Sequence, residues 1–288
     1  YQLMECNKWQ DEVLKTKLKS SAIKMLSWLK SISFKNFDIP MLNDSTMGIA
    51  PTTRQLFEYA KRLKLEPVEL KLSESGYRKY EMGKMEIIFN AGQISPSYQP
   101  GHSHADNLQF VLNYEDAPLI VDTGISTYEK NERRQLERST PSHNTVTIND
   151  ENSSGVWSGF RVGHRAKTRI LHEDDNSMTA VHNGYRKFGA MCKRSLHIEN
   201  SILTITDQVL AKSTNHEAKG HLHFYPETEL ELSSSEVKIN NSLIIKFQDE
   251  VDIAIEEYQF AKGFNQLIPA KKLIYNFKNT TKFSIQRI

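Results

Sequence analysis

Cysteine is scarce in this chain: 288 residues hold only Cys6 and Cys192. Two distant thiols form neither a redox pair nor a thiolate metal motif, and they exclude a disulfide-dense scaffold while leaving the compartment open. Long apolar runs are also missing; no stretch of roughly eighteen apolar residues occurs, so no membrane span is expected. No signal-peptide pattern opens the chain, which starts at Tyr1. Charge of one sign is lacking as well. Lys and Arg number 37 against 35 Asp and Glu, a net +2 that argues against a nucleic-acid partner. There are no internal repeats, no low-complexity tracts and no strand–helix alternation, which argues against a solenoid and a parallel α/β sheet. What is present is 38% apolar residues in a length that suits one large or two medium domains with a real core.

Two patterns divide the chain. Apolar residues at Trp9, Val13, Leu14, Leu18, Ala22, Met25, Leu26 and Leu29 recur at three-to-four spacing and predict an amphipathic helix from Lys8 to about Leu29. A loop rich in turn signals follows, NFDIPMLNDSTMGIAP. A second helix is predicted from about Pro51 to Leu63, capped by Thr52 or Thr53, with Leu56, Tyr59 and Leu63 inward. Two helices cannot bury both apolar faces alone, so they must pack on something else. From Glu74 onward the period becomes two, as in MEIIFNAG, LQFVLNY, PLIVDTG and SLHIENSILTITDQV, with hairpin turns expected near Asn200-Ser201 and Asn240-Asn241. The expected division is a helical segment over 1–73 and a large antiparallel β-sandwich over 74–288.

The residues most pointed at chemistry lie between positions 102 and 143: His102 and His104 in GHSHADNLQF, Asp122 in LIVDTG, and His143 in SPSHNTVTI. Imidazoles and a carboxylate suit a zinc-type ion. If His102 and His104 lie on a strand, they share a face. One could then bind the ion while the other reaches a cleft. Three adjacent strands could bring His104, Asp122 and His143 to one point, with Asp122 exposed by a tight turn at Gly124. Against this stands the polar-face reading, in which an H-x-H pair is simply part of a solvated strand. His221 and His223, in HLHFYP, lack a nearby carboxylate motif and read as sheet residues.

GHSHAD followed by LIVDTGISTYEKNERRQLERSTPSHNTVTIND resembles the heparinase II/III-like superfamily of polysaccharide lyases, as do GVWSGFRVGHRAK and VHNGYRKF. LNDSTMGIAPTTRQLFEYAKRL resembles the last helices of that family's α/α toroid. The resemblance implies a multilayer antiparallel β-sandwich preceded by the end of a toroid. It implies that His102 is a catalytic histidine and that His104, Asp122 and His143 hold a metal, usually zinc, with a supporting role. It also implies an acidic polysaccharide partner and a bacterial, periplasmic or secreted setting. Family lyases draw a Tyr, with an Asn or His, from toroid helices far upstream of H-x-H. Only about one hundred residues precede His102 here, so the resemblance implies the C-terminal part of a longer enzyme, weak or inactive alone.

β-Elimination at a uronic acid needs a base for the C5 proton, an acid for the leaving O4 and a partner for the carboxylate. An imidazole serves as acid or base near neutrality, and Tyr128, six residues beyond Asp122, could serve as the second group or be a half-buried loop aromatic. Arginine pairs bidentately with carboxylates, which points to Arg133 and Arg134 for substrate binding. Interleaved Glu132 and Glu137 favour a solvated charged segment instead. Trp157 could stack on a sugar, with Phe160, or both could be core. Asn107 and Asn144 could orient the ligands. Two other functions fit the same residues: a non-catalytic, metal-stabilised polysaccharide-binding sandwich, for which GIAPTTRQLFEYAKRL and STYEKNERRQLERSTPSHNTV resemble family members associated with bacterial surface-polysaccharide production, and hydrolysis by zinc-bound water.

Overall fold

The computed structural model describes residues 11–94, 96–213 and 215–288. Helix α1 spans Glu12–Ile32 behind an Asp11 cap whose side chain accepts from the Leu14 N–H. Lys8 and Trp9, at the start of the expected helix, lie outside the described residues. Helix α2 covers Thr53–Arg62, with Thr52 and Gln55 forming a reciprocal capping box. The two pack through Leu26, Ala60 and Leu65. The apolar stripe is only partly covered, because Val13 and Met25 remain 80% and 72% exposed. From the end of α1 onward, Ile32, Phe34, Leu42 and Leu72 pack on Ile88 and Val111, which joins the helical segment to the strands.

Those strands belong to the first sheet: β1 (Tyr77–Met82), β2 (Met85–Asn90), β3 (Phe110–Tyr114) and β4 (Ala117–Ile120), in sequential antiparallel order. Every residue of β2 is buried, because the helical segment covers one face and the main core the other. Next come β5 (Val146–Ile148) and a small hairpin, β6 (Val156–Trp157) with β7 (Arg161–Val162). The strands β8 (Thr168–Glu173), β9 (Ser177–His182), β10 (Ala190–Glu199) and β11 (Ile202–Ala211) follow. After β12 (Ala218–His223) come β13 (Leu230–Ser233), β14 (Glu236–Ile239), β15 (Leu243–Phe247), β16 (Asp252–Gly263), β17 (Gln266–Phe277) and β18 (Thr280–Arg287). An eight-stranded sheet runs β13-β14-β15-β18-β11-β10-β9-β8, and a four-stranded one runs β16-β17-β12-β5. A bridge between Ile120 and Phe224 joins the latter to the end of β4. All three large sheets contribute to one apolar core, including Phe89, Phe110, Leu196, Ile205, Leu273 and Phe283. Each such side chain, fully buried, contributes roughly 1.5–3 kcal/mol.

The period-two reading is visible in β10, whose residues alternate between buried and more exposed along its length. Its hairpin with β11 turns at Asn200 and Ser201, both at positive φ, as a primed two-residue turn requires. Asn240 and Asn241 also take positive φ, between β14 and β15. His221 and His223 lie on β12 as sheet residues, their rings stacked with centroids 6.5 Å apart. His182 ends β9, and its Nδ1 accepts the Gly184 N–H, so this buried ring sits neutral.

Burial, then the charge of Arg194, pushes His182 down to about 3; burial, then Lys272, does the same to His221. Both folded values lie below the ordinary 6.5, so as pH falls the unfolded chain takes up these protons first. Stability from this source is complete above about pH 6.5 and is lost as pH falls towards about 3. Each group costs about 1.4 kcal/mol per pH unit within that window. Urea unfolding at about pH 7 and about pH 5 should therefore differ by several kcal/mol; equal free energies would mean that these rings are not held neutral.

Candidate active site and metal centre

The segment expected to be a strand around H-x-H is not one. Residues Pro100–His102 form a 3₁₀ turn, and the strand begins only at Phe110. Leu108 takes φ +62, which breaks any extended run. The two histidines therefore part in environment: the His102 side chain is 59% exposed and that of His104 fully buried. They meet again at a residue the sequence reading did not single out, Asp44. Asp44 Oδ2 accepts from His102 Nδ1 at 2.7 Å, and Asp44 Oδ1 accepts from His104 Nε2 at 2.9 Å. Arg134 donates to the same two oxygens, Nη1 at 2.5 Å and Nη2 at 2.7 Å. Burial alone would raise the Asp44 pKa, but the bonds from His104 and Arg134 more than reverse this, and the carboxyl stays well below its ordinary range. An ionised carboxylate only accepts, so it fixes a proton on each facing imidazole nitrogen.

The turn signals around Asp44 were legible, but its partners were not, because they lie 58, 60 and 90 residues away in sequence. Neighbouring Asn43, at φ +54, accepts the His104 N–H with Oδ1 and donates to Tyr77 Oη with Nδ2. The loop is thus tied to β1 and to H-x-H at once.

His143 follows a 3₁₀ turn at Thr140–Ser142 and donates from Nδ1 to Asp122 Oδ2 at 2.7 Å. Asp122 is 1% exposed, not opened to solvent as the D-x-G turn suggested. Its Oδ1 closes that turn by accepting the Gly124 N–H. Gly124 sits at φ +73, where an added Cβ would stand 2.7 Å from the Ala261 carbonyl oxygen, so the turn needs glycine. The rings of His104 and His143 lie 5.2 Å apart. Their remaining nitrogens, His104 Nδ1 and His143 Nε2, are buried without a hydrogen-bond partner.

Among the described residues no group of three or more His, Cys, Asp or Glu side chains is arranged as a ready metal site. The structure brings His104 and His143 together and places Asp122 behind His143 rather than beside both. The donors nonetheless fit a zinc-type ion in chemistry. The two bare buried imidazole nitrogens belong to neighbouring rings, and each imidazole is backed by a carboxylate on its other nitrogen, as metal-bound histidines commonly are. Burial lowers the His104 pKa and keeps that ring neutral. For His143 burial acts downwards, but the charge and hydrogen bond of Asp122 prevail, and its pKa is raised.

Helix α3 (Glu132–Glu137), capped by Asn131, carries the arginines, and it is not the solvated segment its charges suggested. Arg134, Glu137 and Arg138 are fully buried. Arg134 is thus corrected from a substrate ligand to an internal partner of Asp44, with Nε also donating to the Gly159 carbonyl. Arg133 reaches the Glu137 carboxylate and the Gln259 carbonyl while keeping a partly exposed side chain. Arg138 donates to the Ser103 carbonyl, between the two histidines. Burial, then Arg134, pushes its pKa down to about 10.

The exposed His102 ring has aromatic neighbours: Phe160 at 5.7 Å and Tyr128 at 6.0 Å between centroids. The Arg134 guanidinium lies 5.0 Å from the Tyr128 ring and 5.2 Å from that of Phe160. Phe160 belongs to the tip of the β6–β7 hairpin, which abuts the Pro100–His102 turn at Gly101. Trp157, paired with Arg161 beside the turn of that hairpin, lies against Gly163, where a Cβ would come within 2.8 Å of the indole. Trp157 and Phe160 are 48% and 38% exposed, so neither is core. Tyr128 is 37% exposed, and burial, then Asp44, raises its phenol pKa.

Asn144 supports the site from behind. It donates to the Phe110 and Val121 carbonyls and accepts from the His223 N–H. Asn107 instead donates to Thr168 Oγ1, away from the histidines.

A helical segment packed on a multilayer antiparallel sandwich, with this His–Asp–Arg cluster at its rim, can be compared with known proteins. Residues 68–286 match the family model described as heparinase II/III-like, C-terminal, and the chain belongs to that family. Its fold is similar to a solved heparinase III gene product at TM-score 0.71 and 15% identity, covering 92% of this chain and 46% of that one. It is also similar to the heparan sulfate lyase HepC from Pedobacter heparinus, at TM-score 0.66 and 19% identity, covering 89% and 44% of the two chains. A further heparinase III structure gives TM-score 0.69 at 14% identity, covering 96% and 49%. The chain thus spans just under half the length of these structures. No curated protein sequence matches it. No described helix is long and apolar enough to cross a membrane.

Proposed function

We propose that this chain carries the His102 half of a polysaccharide lyase centre that cleaves a uronic-acid-containing polymer by β-elimination. The supporting observation is that a half-exposed imidazole is held from behind by a buried Asp44–Arg134 pair and flanked by Tyr128 and Phe160. With its proton fixed on Nδ1, His102 presents Nε2 as the base that takes the C5 proton. The C5–H electrons form the C4–C5 double bond, the C4–O4 bond breaks, and O4 leaves with a proton from an acid. Tyr128 is the acid in this reading: its raised pKa keeps the phenol protonated. Trp157 and Phe160 supply sugar-stacking faces. Arg133, partly exposed and next to Arg134 on α3, is the residue proposed to meet the substrate carboxylate.

His104 and His143 would hold a zinc-type ion through their bare nitrogens, with Asp122 as third ligand if it exchanges its His143 contact, and otherwise as the group that orients His143. Such an ion would brace the segments carrying H-x-H and add fixed positive charge beneath them. Chelator should then lower the melting temperature. Metal at 100-fold its dissociation constant contributes about 2.7 kcal/mol, or roughly 4–5 °C for a chain of this size. Asp122→Ala should show a smaller chelator effect and less bound zinc by elemental analysis. Equal melting curves with and without chelator would remove the metal from this proposal.

The lyase reading is tested by incubating the full-length gene product with heparan sulfate and with alginate-type polymers. An unsaturated product, absorbing in the near ultraviolet, is expected from at least one of them.

A further inference from the structure

We infer that Asp44 is a positioning residue for His102: together with Arg134 it locks the imidazole with its proton on Nδ1 and Nε2 directed to the open face. This rests on the lyase reading for its catalytic consequence, but the orientation itself is a separate physical claim.

The geometry is specific. A carboxylate offers about four lone-pair sites, and Asp44 uses four, two for the Arg134 fork and one for each histidine. Arg134 cannot turn away, because Nε is bonded to Gly159 and the rings of Tyr128 and Phe160 lie against its guanidinium. Asp44 cannot turn away either. It is 5% exposed, and its neighbours Asn43 and Leu42 are anchored on β1 and in the apolar cluster under α1. Two fixed groups thus determine where the first histidine of H-x-H points, although His102 itself sits on a turn with more than half its side chain in solvent. An exposed imidazole without such a partner would sample rotamers and both tautomers, and only a fraction would present a bare Nε2. The second Asp44 oxygen does the same for buried His104, fixing its proton on Nε2 and leaving Nδ1 bare. One carboxylate therefore sets complementary tautomers in the two histidines.

The decisive measurement is made on the wild type. Side-chain ¹⁵N–¹H correlation spectra of the histidine-labelled full chain, recorded at mildly alkaline pH, report the tautomer of each ring. The His102 signals are assigned by their loss in His102→Gln. We expect one Nδ1–H tautomer for His102. An Nε2–H tautomer, or the averaged pattern of a free histidine, would overturn the inference. In a second arm, Asp44→Asn should lose the single tautomer. On any polymer the wild type cleaves, it should lower kcat by up to roughly 10⁴-fold with KM little changed, the size seen when a histidine-orienting carboxylate is neutralised. An Asp44→Asn protein that keeps full kcat would refute the positioning role. If the wild type yields no unsaturated product, the lyase reading fails, and the tautomer spectrum alone still decides the orientation. If Asp44→Asn does not fold, the wild-type spectrum is likewise sufficient.

Discussion

His102→Gln is expected to abolish most elimination activity, by roughly 10²–10⁴-fold, without weakening the fold. The rate effect follows from removing the base, since acid–base groups contribute factors of this size. The absence of a stability effect follows from exposure: the side chain is 59% in solvent and makes one hydrogen bond, to Asp44. Surface substitutions of this kind usually stay within about 0.5 kcal/mol. Steady-state rates and a melting curve on the same preparation check both halves. A variant that keeps full activity would move the base elsewhere, and a large drop in melting temperature would show that His102 is structural.

The largest stability effect is expected at Arg194. Its guanidinium is fully buried and pairs with Asp207 through Nε at 2.6 Å and Nη2 at 2.9 Å. Nη1 donates to the carbonyls of Leu108 and Asn144, at 2.9 and 2.5 Å. Leu108 closes the segment that carries H-x-H, and Asn144 follows His143. Arg194 thus ties the two histidine-bearing segments to the centre of the eight-stranded sheet. Tyr275 Oη donates to Asp207 Oδ2 and completes the group. Arg194→Met fills much of the same volume but leaves Asp207 buried without its cation and two carbonyls without donors. Breaking a buried pair in this way costs about 3–5 kcal/mol. Replacing both partners with apolar residues should cost less at the ion pair, because no uncompensated charge remains, while the two carbonyls still lose their donor. Urea unfolding of Arg194→Met and of the Arg194→Met, Asp207→Leu double variant checks this. A single variant within 1 kcal/mol of the wild type would mean that the pair does not organise the site.

Much of the fold could be read from the sequence because its signals are local. The period of two in SLHIENSILTITDQV and the Asn-Ser turn suffice to predict a hairpin, and Thr52 with Gln55 suffices to cap a helix. The composition of the site was legible for a different reason: histidines and a carboxylate in strand-end contexts are uncommon enough to notice. What could not be read was which charges turn inward. Glu137 and Arg134 look like a solvated pair in sequence, yet Glu137 accepts from Ser126 and Arg133, and Arg134 reaches Asp44 from 90 residues away. Pairings across such separations depend on how sheets and loops pack, which no local pattern encodes. The strand assigned to GHSHAD failed for a related reason. Alternation there reflected two histidines with separate duties, one exposed and one buried, rather than a pleat.

The analysis of cleavage products tests the catalytic reading most directly. A uronic-acid polymer is digested in ¹⁸O-labelled water with the full-length wild-type protein and with its His102→Gln variant, and the new termini are examined by mass spectrometry and near-ultraviolet absorbance. Elimination predicts C4–C5 unsaturated termini without solvent oxygen, formed by the wild type and not by the variant. Saturated termini carrying ¹⁸O would show hydrolysis, and binding of the polymer with no new termini would show a non-catalytic module; either result contradicts an elimination centre built around His102.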